Sequence, residues 1–252
     1  MKPQQRRDMM VSAINELGSI SLGELKKRFP DVSEMTLRRD LEALDNDRRI
    51  IRIHGGAKSV DVVIGTDDLF AKRILRNADA KKRIAEKAAA LIKPNITVFL
   101  DSGTTATELA SLLPDIPYML FTNNIPSVQE LCKLTKPEIH FLGGRLNAYS
   151  HSTNGSEAMN TVDHLNFDIA FLGTTGYMSG CGFTCGSVED AMLKRKVIQH
   201  SEKAVMLMDS RQVGLTYSFT TAHLREIDMV VTDDEISAEL RAELEQAGVE
   251  LL

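Results

Sequence analysis

The chain has 252 residues, 43% of them hydrophobic, with 30 Lys and Arg against 35 Asp and Glu for a formal net charge of −5. That length and apolar fraction exclude a disordered or fibrous chain and suffice for two modest cores. Three cysteines, an odd number, give no closed disulfide framework and suit a reducing compartment.

Pro3 to Leu17 places Met10, Ile14 and Leu17 at helical spacing, with Gly18 as a stop just beyond. Ser21 followed three residues later by Glu24 is a capping box, opening a helix that carries Leu22, Leu25 and Phe29 and closes at Pro30. Asp31 and Val32 make a tight turn into Ser33, which caps a third helix. That helix sets Thr36, Arg38 and Arg39 against Leu37, Leu41 and Leu44, so one face meets a DNA groove while the leucines pack on their own domain. Arg48, Arg49 and Arg52 lie on an isoleucine-rich strand, residues 50–53, that ends in His54-Gly55-Gly56 and reads as a basic wing. Three helices with a tight turn and a hairpin make a winged helix-turn-helix over residues 1–58. Its candidate DNA-binding residues are Ser33, Thr36, Arg38, Arg39, Arg48, Arg49, Arg52 and His54. Thr36 and Arg38 are placed to read bases, Arg39 and the wing arginines to meet phosphates. The alternative is a helical domain whose arginines only solvate a surface. Charge favours DNA: residues 1–60 hold 12 Lys and Arg against 9 Asp and Glu, the remainder 18 against 26.

Residues 59–67 break the periodicity and read as a linker. From Asp68 to Ile92 the pattern predicts one long amphipathic helix with Phe70, Ile74, Ile84, Ala88 and Leu91 on its apolar face. Beyond Pro94, apolar strands at 96–100, 118–122, 138–142, 169–172, 204–208, 229–231 and 249–252 alternate with helices at 105–113, 127–134, 188–200 and 237–247. The alternation predicts an α/β domain over residues 68–252 with a mainly parallel sheet covered on both faces. Ligands of such folds bind at the carboxyl ends of the strands. Asp101-Ser102-Gly103-Thr104-Thr105 sits there, between a strand and a helix. Three hydroxyls, a glycine and a helix N-terminus suit a phosphate, although such clusters also make plain turns. The motif is neither a Walker loop nor a dinucleotide fingerprint. No nucleophile elbow occurs, and Cys181, Cys185, His151 and His164 lack metal-ligand spacing, so neither a catalytic residue nor a metal is assigned. The start of the chain shows no apolar leader and no stretch is long enough to span a membrane, so the expected compartment is the cytoplasm.

The stretch from Val32 to Leu41, with Arg52-Ile53-His54-Gly55-Gly56-Ala57, resembles the N-terminal signature of DeoR-type bacterial transcriptional repressors, and the resemblance continues through the chain. It implies a winged helix-turn-helix joined to an effector domain similar to ribose-5-phosphate isomerase A and glucosamine-6-phosphate deaminase, in which a loop like 101–105 holds a sugar phosphate. The effector-binding residues it implies are Asp101, Ser102, Gly103, Thr104, Thr105, Asn123, Gly143, Gly144, Glu189, Lys194, Asp209 and Arg211. Lys194 would pair with a phosphate or sugar oxygen, and Glu189 and Asp209 would accept sugar hydroxyls. The competing readings make Lys194 a solvent-facing lysine and Asp209 a strand-end cap. One departure stands out: the family's Asp-Ser-Ser-Lys-Phe-Gly is here Asp209-Ser210-Arg211-Gln212-Val213-Gly214, which leaves three readings open: Arg211 substitutes for the missing lysine, the effector differs, or the position matters little. The run Asp-Gly-Ala-Asp of the isomerases is absent. The expectation is a repressor of a carbohydrate-utilisation operon with no cofactor. Its partners are double-stranded operator DNA, a phosphorylated sugar or sugar alcohol and a second copy, as a homodimer or homotetramer, with no membrane. The rival is a phosphosugar isomerase or deaminase with an accessory DNA-binding domain.

Overall fold

In the computed structural model residues 3–17, 19–47, 49–53, 55–59, 73–74, 76–148 and 150–252 are described. The chain divides into two units, residues 1–67 and 68–252.

In the first unit the apolar spacing closes three helices, α1 (Pro3–Leu17), α2 (Leu22–Arg28) and α3 (Glu34–Asn46), over a core of Met10, Ile14, Leu25, Leu37, Leu41, Leu44 and Ile50. The Ser21 capping box forms as its spacing predicts. The wing has three strands, β1 (Ser19–Ser21), β2 (Ile51–Ile53) and β3 (Gly56–Lys58), in the antiparallel order β1-β3-β2. A three-residue strand is too short for periodicity to reveal, so β1 is invisible in the sequence. Gly56 is where the strands meet most closely: a Cβ there would lie 2.2 Å from the Ile20 carbonyl oxygen. Arg49 and Ile50 precede β2 rather than belonging to it, and Ile50 is core. Asp40, 2% exposed on the inner face of α3, accepts hydrogen bonds from Arg6 Nε at 2.6 Å and Arg7 Nε at 2.9 Å. This clamp joins α1 to α3.

In the second unit the expected helix over 68–92 is not continuous. Residues 68–72 and 75 lie outside the described residues, residues 76–77 form a turn, and α4 runs Ala78–Ala89. Asn77 caps α4 with φ 52°, a left-handed conformation that asparagine tolerates better than most residues. The chain continues through β4 (Thr97–Leu100), α5 (Thr104–Leu112), β5 (Met119–Thr122), α6 (Ile125–Leu131), β6 (Glu138–Phe141), β7 (Arg145–Asn147), β8 (Ser152–Asn154) and α7 (Ser156–Val162). Then follow β9 (Ile169–Gly173), β10 (Gly176–Met178), β11 (Gly182–Cys185), α8 (Val188–Gln199), β12 (Ala204–Met208), β13 (Phe219–Ala222), β14 (Met229–Thr232), α9 (Ala238–Gln246) and β15 (Glu250–Leu251). The main sheet is parallel throughout, in the order β15-β14-β12-β9-β4-β5-β6.

Successive strand residues feed opposite faces. Val98, Leu100, Leu120, Val205 and Leu207 pack with Ile84, Ala88 and Leu109 from α4 and α5. Phe99, Phe121, Met206 and Met208 pack with Val162, Leu193 and Val197 from α7 and α8. Because both faces are covered, the strands read as continuous apolar runs. The β7–β8 hairpin and the small sheet β10-β11-β13 carry no such runs and escaped the sequence reading. From the central β4 the chain winds outward through β5 and β6, then returns to β9 on the other side of β4. The carboxyl ends of β4 and β9 are therefore the topological switch point, where the crossovers diverge and leave a crevice.

Candidate functional site

In the first unit Ser33 caps α3: its Oγ accepts from the Thr36 backbone N–H at 3.2 Å and shares a hydrogen bond with Thr36 Oγ1 at 2.9 Å. Ser33 therefore sets the start of the helix, and Thr36 is half-buried in the same cap. Arg38 is 59% exposed, with Glu34 3.9 Å away one turn earlier, and Arg39 and Arg52 are exposed. Arg49 instead donates to Asp8 Oδ1 at 2.8 Å, tying the base of the wing to α1. Arg48 and His54 lie outside the described residues.

In the second unit Asp101 directly follows β4 and is 1% exposed. Its Oδ2 accepts from the Gly173 backbone N–H at 2.8 Å and from Lys194 Nζ. Gly173 ends β9, so the pair spans the switch point; a Cβ at Gly173 would lie 3.3 Å from the Ser102 carbonyl oxygen. Lys194, 5% exposed on α8, is thus an interior lysine and not a solvated one. Burial pushes its pKa down, but the Asp101 and Asp190 carboxylates overcome that and hold it above the usual lysine value, so it stays a cation. Beside it, Gly103 precedes α5 at φ 123° with nothing within 4 Å of its Cβ position. The first turn of α5 follows directly, and Ser102, Thr104 and Thr105 flank Gly103 in the chain; a helix N-terminus favours an anion.

Other residues fix this rim. Asn124 Nδ2 donates to the Gly103 carbonyl at 3.3 Å, Thr107 Oγ1 at 3.0 Å and Ser127 Oγ at 2.7 Å, holding the loop to α5 and α6. Asn123 Nδ2 donates to the Thr153 carbonyl at 2.9 Å. Gly144, at φ 132°, lies so close to β8 that a Cβ would sit 2.6 Å from the Asn154 carbonyl oxygen. Asn154 Nδ2 donates to Asp190 Oδ1 at 3.2 Å, and Glu189 accepts from Arg145. Gly143 is exposed near Gly144, with nothing within 4 Å of its Cβ position.

Asp209 is the strand-end cap of a 3-10 helix, Ser210–Gln212, accepting from the Arg211 backbone N–H at 3.0 Å and from Asn77 Nδ2 at 3.2 Å. Gln212 completes the reciprocal cap, accepting from the Asp209 N–H at 2.9 Å and donating to the Thr174 carbonyl. Arg211 is exposed. The glutamine in place of the family lysine is thus a structural link between the carboxyl ends of β12 and β9.

Sequence reasoning missed Arg145, Asn154 and Asp190. Two of them left a signal: Asn154-Gly155-Ser156 is a second strand–glycine–helix junction, and Asp190 stands one helical turn before Lys194. Among the described residues no cluster of His, Cys, Asp or Glu is arranged to hold a metal ion, and no helix is long and apolar enough to cross a membrane. Cys181 is exposed and Cys185 buried.

Residues 6–63 match the family model of the DeoR-like helix-turn-helix domain, and residues 76–234 that of the DeoR C terminal sensor domain. The HTH-type transcriptional regulator GlpR of Haloferax volcanii is 30% identical over 249 residues, covering 99% of this chain and 97% of that protein. The regulator GolR of Listeria innocua is 30% identical over 255 residues, covering 99% and 98%. The lactose phosphotransferase system repressor of Staphylococcus epidermidis is 29% identical over 238 residues, covering 93% of each. Among solved structures, ribose 5-phosphate isomerase A of Methanocaldococcus jannaschii aligns at TM-score 0.40 and 17% identity over 54% of this chain and 55% of that one. A reading head and a sensor domain matched in order on one chain leave no room for an enzyme with an accessory head: the chain belongs to the DeoR family of DNA-binding transcriptional regulators.

Proposed function

We propose that this regulator represses a carbohydrate-utilisation operon under the control of a phosphorylated sugar or sugar alcohol held at the 101–105 loop. The carrying observation is the Lys194 cation, buried against Asp101 at the switch point beside the N-terminus of α5. The helix end is the positive feature that suits a phosphate ester, and Lys194, itself paired with Asp101, fixes the head of the loop that carries it. Ser102, Gly103, Thr104 and Thr105 would hold the phosphate, and Asn123, Gly143, Gly144, Glu189, Asp209 and Arg211 surround the remainder of the molecule. A relative named for a lactose phosphotransferase system supports the carbohydrate context.

The reading head would act through α3, with Arg38 reading a base, Arg39 and Arg52 on phosphates, and Ser33 and Thr36 fixing the helix end at the groove. Arg49 has a structural partner in Asp8, so its share in DNA contact is smaller than its sequence position implies. One winged head reads few base pairs, so the working form is a homodimer or homotetramer on a repeated operator in the cytoplasm. The ligand controls transcription only through different affinities for the DNA-bound and free conformations.

The test is fluorescence anisotropy of labelled DNA from the region upstream of the protein's own gene, titrated with protein and then with a panel of sugar phosphates. Tight binding that one compound releases or strengthens is the expected result. Operator binding that no phosphate ester alters would overturn the account of the 101–105 loop.

A further inference from the structure

The main sheet ends in two unequal edges. At one, β15 holds only Glu250 and Leu251, too short a stretch to template a neighbour. At the other, β6 (Glu138–Phe141) has no strand on its outer side among the described residues. The Glu138 N–H donates to the Tyr118 carbonyl at 2.9 Å and the Leu142 N–H to the Thr122 carbonyl at 2.8 Å, both on the β5 side. Backbone groups alternate sides along a strand, so Ile139 and Phe141 turn their N–H and C=O groups away from β5. The pairing with β5 runs unbroken through β6, so no bulge turns this edge aside, and Phe141 is 43% exposed on it.

The side chains decide what can pair here. Glu138 is exposed and His140 half-buried on one face of the sheet, with His140 Nε2 3.0 Å from Glu138 Oε1. Ile139 and Phe141 lie on the other face, and Pro137, just before the strand, has no N–H to give. A second copy of β6 laid antiparallel across a two-fold axis can meet this edge in several registers. Centred on Glu138, the copies set carboxylate against carboxylate, which is unfavourable. Centred on His140 or Phe141, they leave Glu138 without a polar partner. Centred on Ile139, they set each Glu138 opposite the partner's His140, a carboxylate facing an imidazole. In that register the two Ile139 residues exchange both backbone hydrogen bonds, and each Phe141 N–H reaches the partner's Pro137 carbonyl, which needs no donor in return.

We propose that β6 joins two copies of this chain in the register centred on Ile139, an inference that rests on the homo-oligomer proposed above and gives it a surface. The main sheet then runs continuously from one copy into the other. Pro137 and Glu138 act as selectors, refusing an arbitrary strand and accepting this one. So short a contact belongs to the small, dissociable class of interface, and the pairing is lost on dilution.

Light scattering and sedimentation velocity of the full chain over a concentration series test this. The wild type should assemble and dissociate on dilution. Ile139→Pro removes an outward N–H and no bond to β5, so the fold should hold. Its association should weaken by about tenfold or more, the scale of one or two lost hydrogen bonds. Glu138→Lys alters an exposed side chain and should weaken association severalfold. Adding His140→Glu to it should restore association, because each lysine again faces a carboxylate. Thermal melts check the fold of each variant, and a folding failure of Ile139→Pro leaves the charge swap to decide. Assembly untouched by both substitutions would overturn the β6 interface and leave the oligomer on another surface. Weakening by Glu138→Lys that His140→Glu does not reverse would overturn the register and the proposal with it. A wild type that is monomeric throughout the series would remove the oligomer and the interface together.

Discussion

Lys194 and Asp101 are buried together, so neither can be removed without stranding the other. Lys194→Met should destabilise the sensor domain by roughly 3–5 kcal/mol, because an uncompensated carboxylate then remains in the interior. Denaturant melts of the variant and the wild type measure this. A loss no larger than that of an exposed pair would show that the crevice is more solvated than its burial implies. Arg38 presents the opposite case, an exposed guanidinium with Glu34 3.9 Å away one turn earlier. Arg38→Ala should cost roughly 1–3 kcal/mol of operator affinity and relax the choice at one base position. Competition binding against single-base operator variants reads both effects, and a loss uniform across sequences would assign Arg38 to a phosphate. At this scale the sequence showed which residue types were present, but not their burial. Arg39 and Arg49 look alike in the string, and only the fold gives Arg49 a carboxylate at 2.8 Å.

At the scale of elements, the junction into α4 holds an unusual group. Lys81 is buried and donates to the carbonyls of Arg73 and Arg76, residues just before the Asn77 cap. Burial pushes its pKa down to about 8, with Asp209 acting in the other direction. A lysine whose folded value lies below its ordinary 10.5 weakens the fold while charged. Between those two values the unfolded chain holds a proton that the folded chain has released, so stability rises with pH across that window. The melting temperature of the wild type, measured relative to Lys81→Met, should therefore rise from pH 8 to pH 10. A difference independent of pH would mean that Lys81 titrates normally. Capping was the part of this scale legible in the chain: Ser21 with Glu24, and Ser33, act within one turn. The break at Asn77 was not legible, since residues on both sides keep an amphipathic helical pattern and one asparagine lowers helix propensity too little to mark a stop.

At the scale of the whole molecule, charge is divided between a basic reading head and an acidic sensor domain. Operator binding should consequently weaken steeply with salt, by a slope of about 0.9 per phosphate contacted in a double-logarithmic plot. Arg39→Ala should lower that slope by about one. Anisotropy titrations across a salt series measure it, and an unchanged slope would take Arg39 off the backbone. Operator half-sites should lie one helical turn, roughly 34–36 Å, or a multiple apart.

The sequence alone determined the architecture: apolar runs of strand length between amphipathic helices imply a sheet covered on both faces, and the leucine back of the arginine helix keeps its arginines at the surface. It also exposed the 101–105 turn, because strand, glycine, hydroxyls and helix are adjacent in the chain. Tertiary structure decided what adjacency cannot encode. Lys194 reaches Asp101 across 93 residues, Asn154 meets Asp190 across 36, and Gln212 links two strand ends across 38. These partners are fixed by the order of strands in the sheet, and that order follows from how two apolar faces are buried at once.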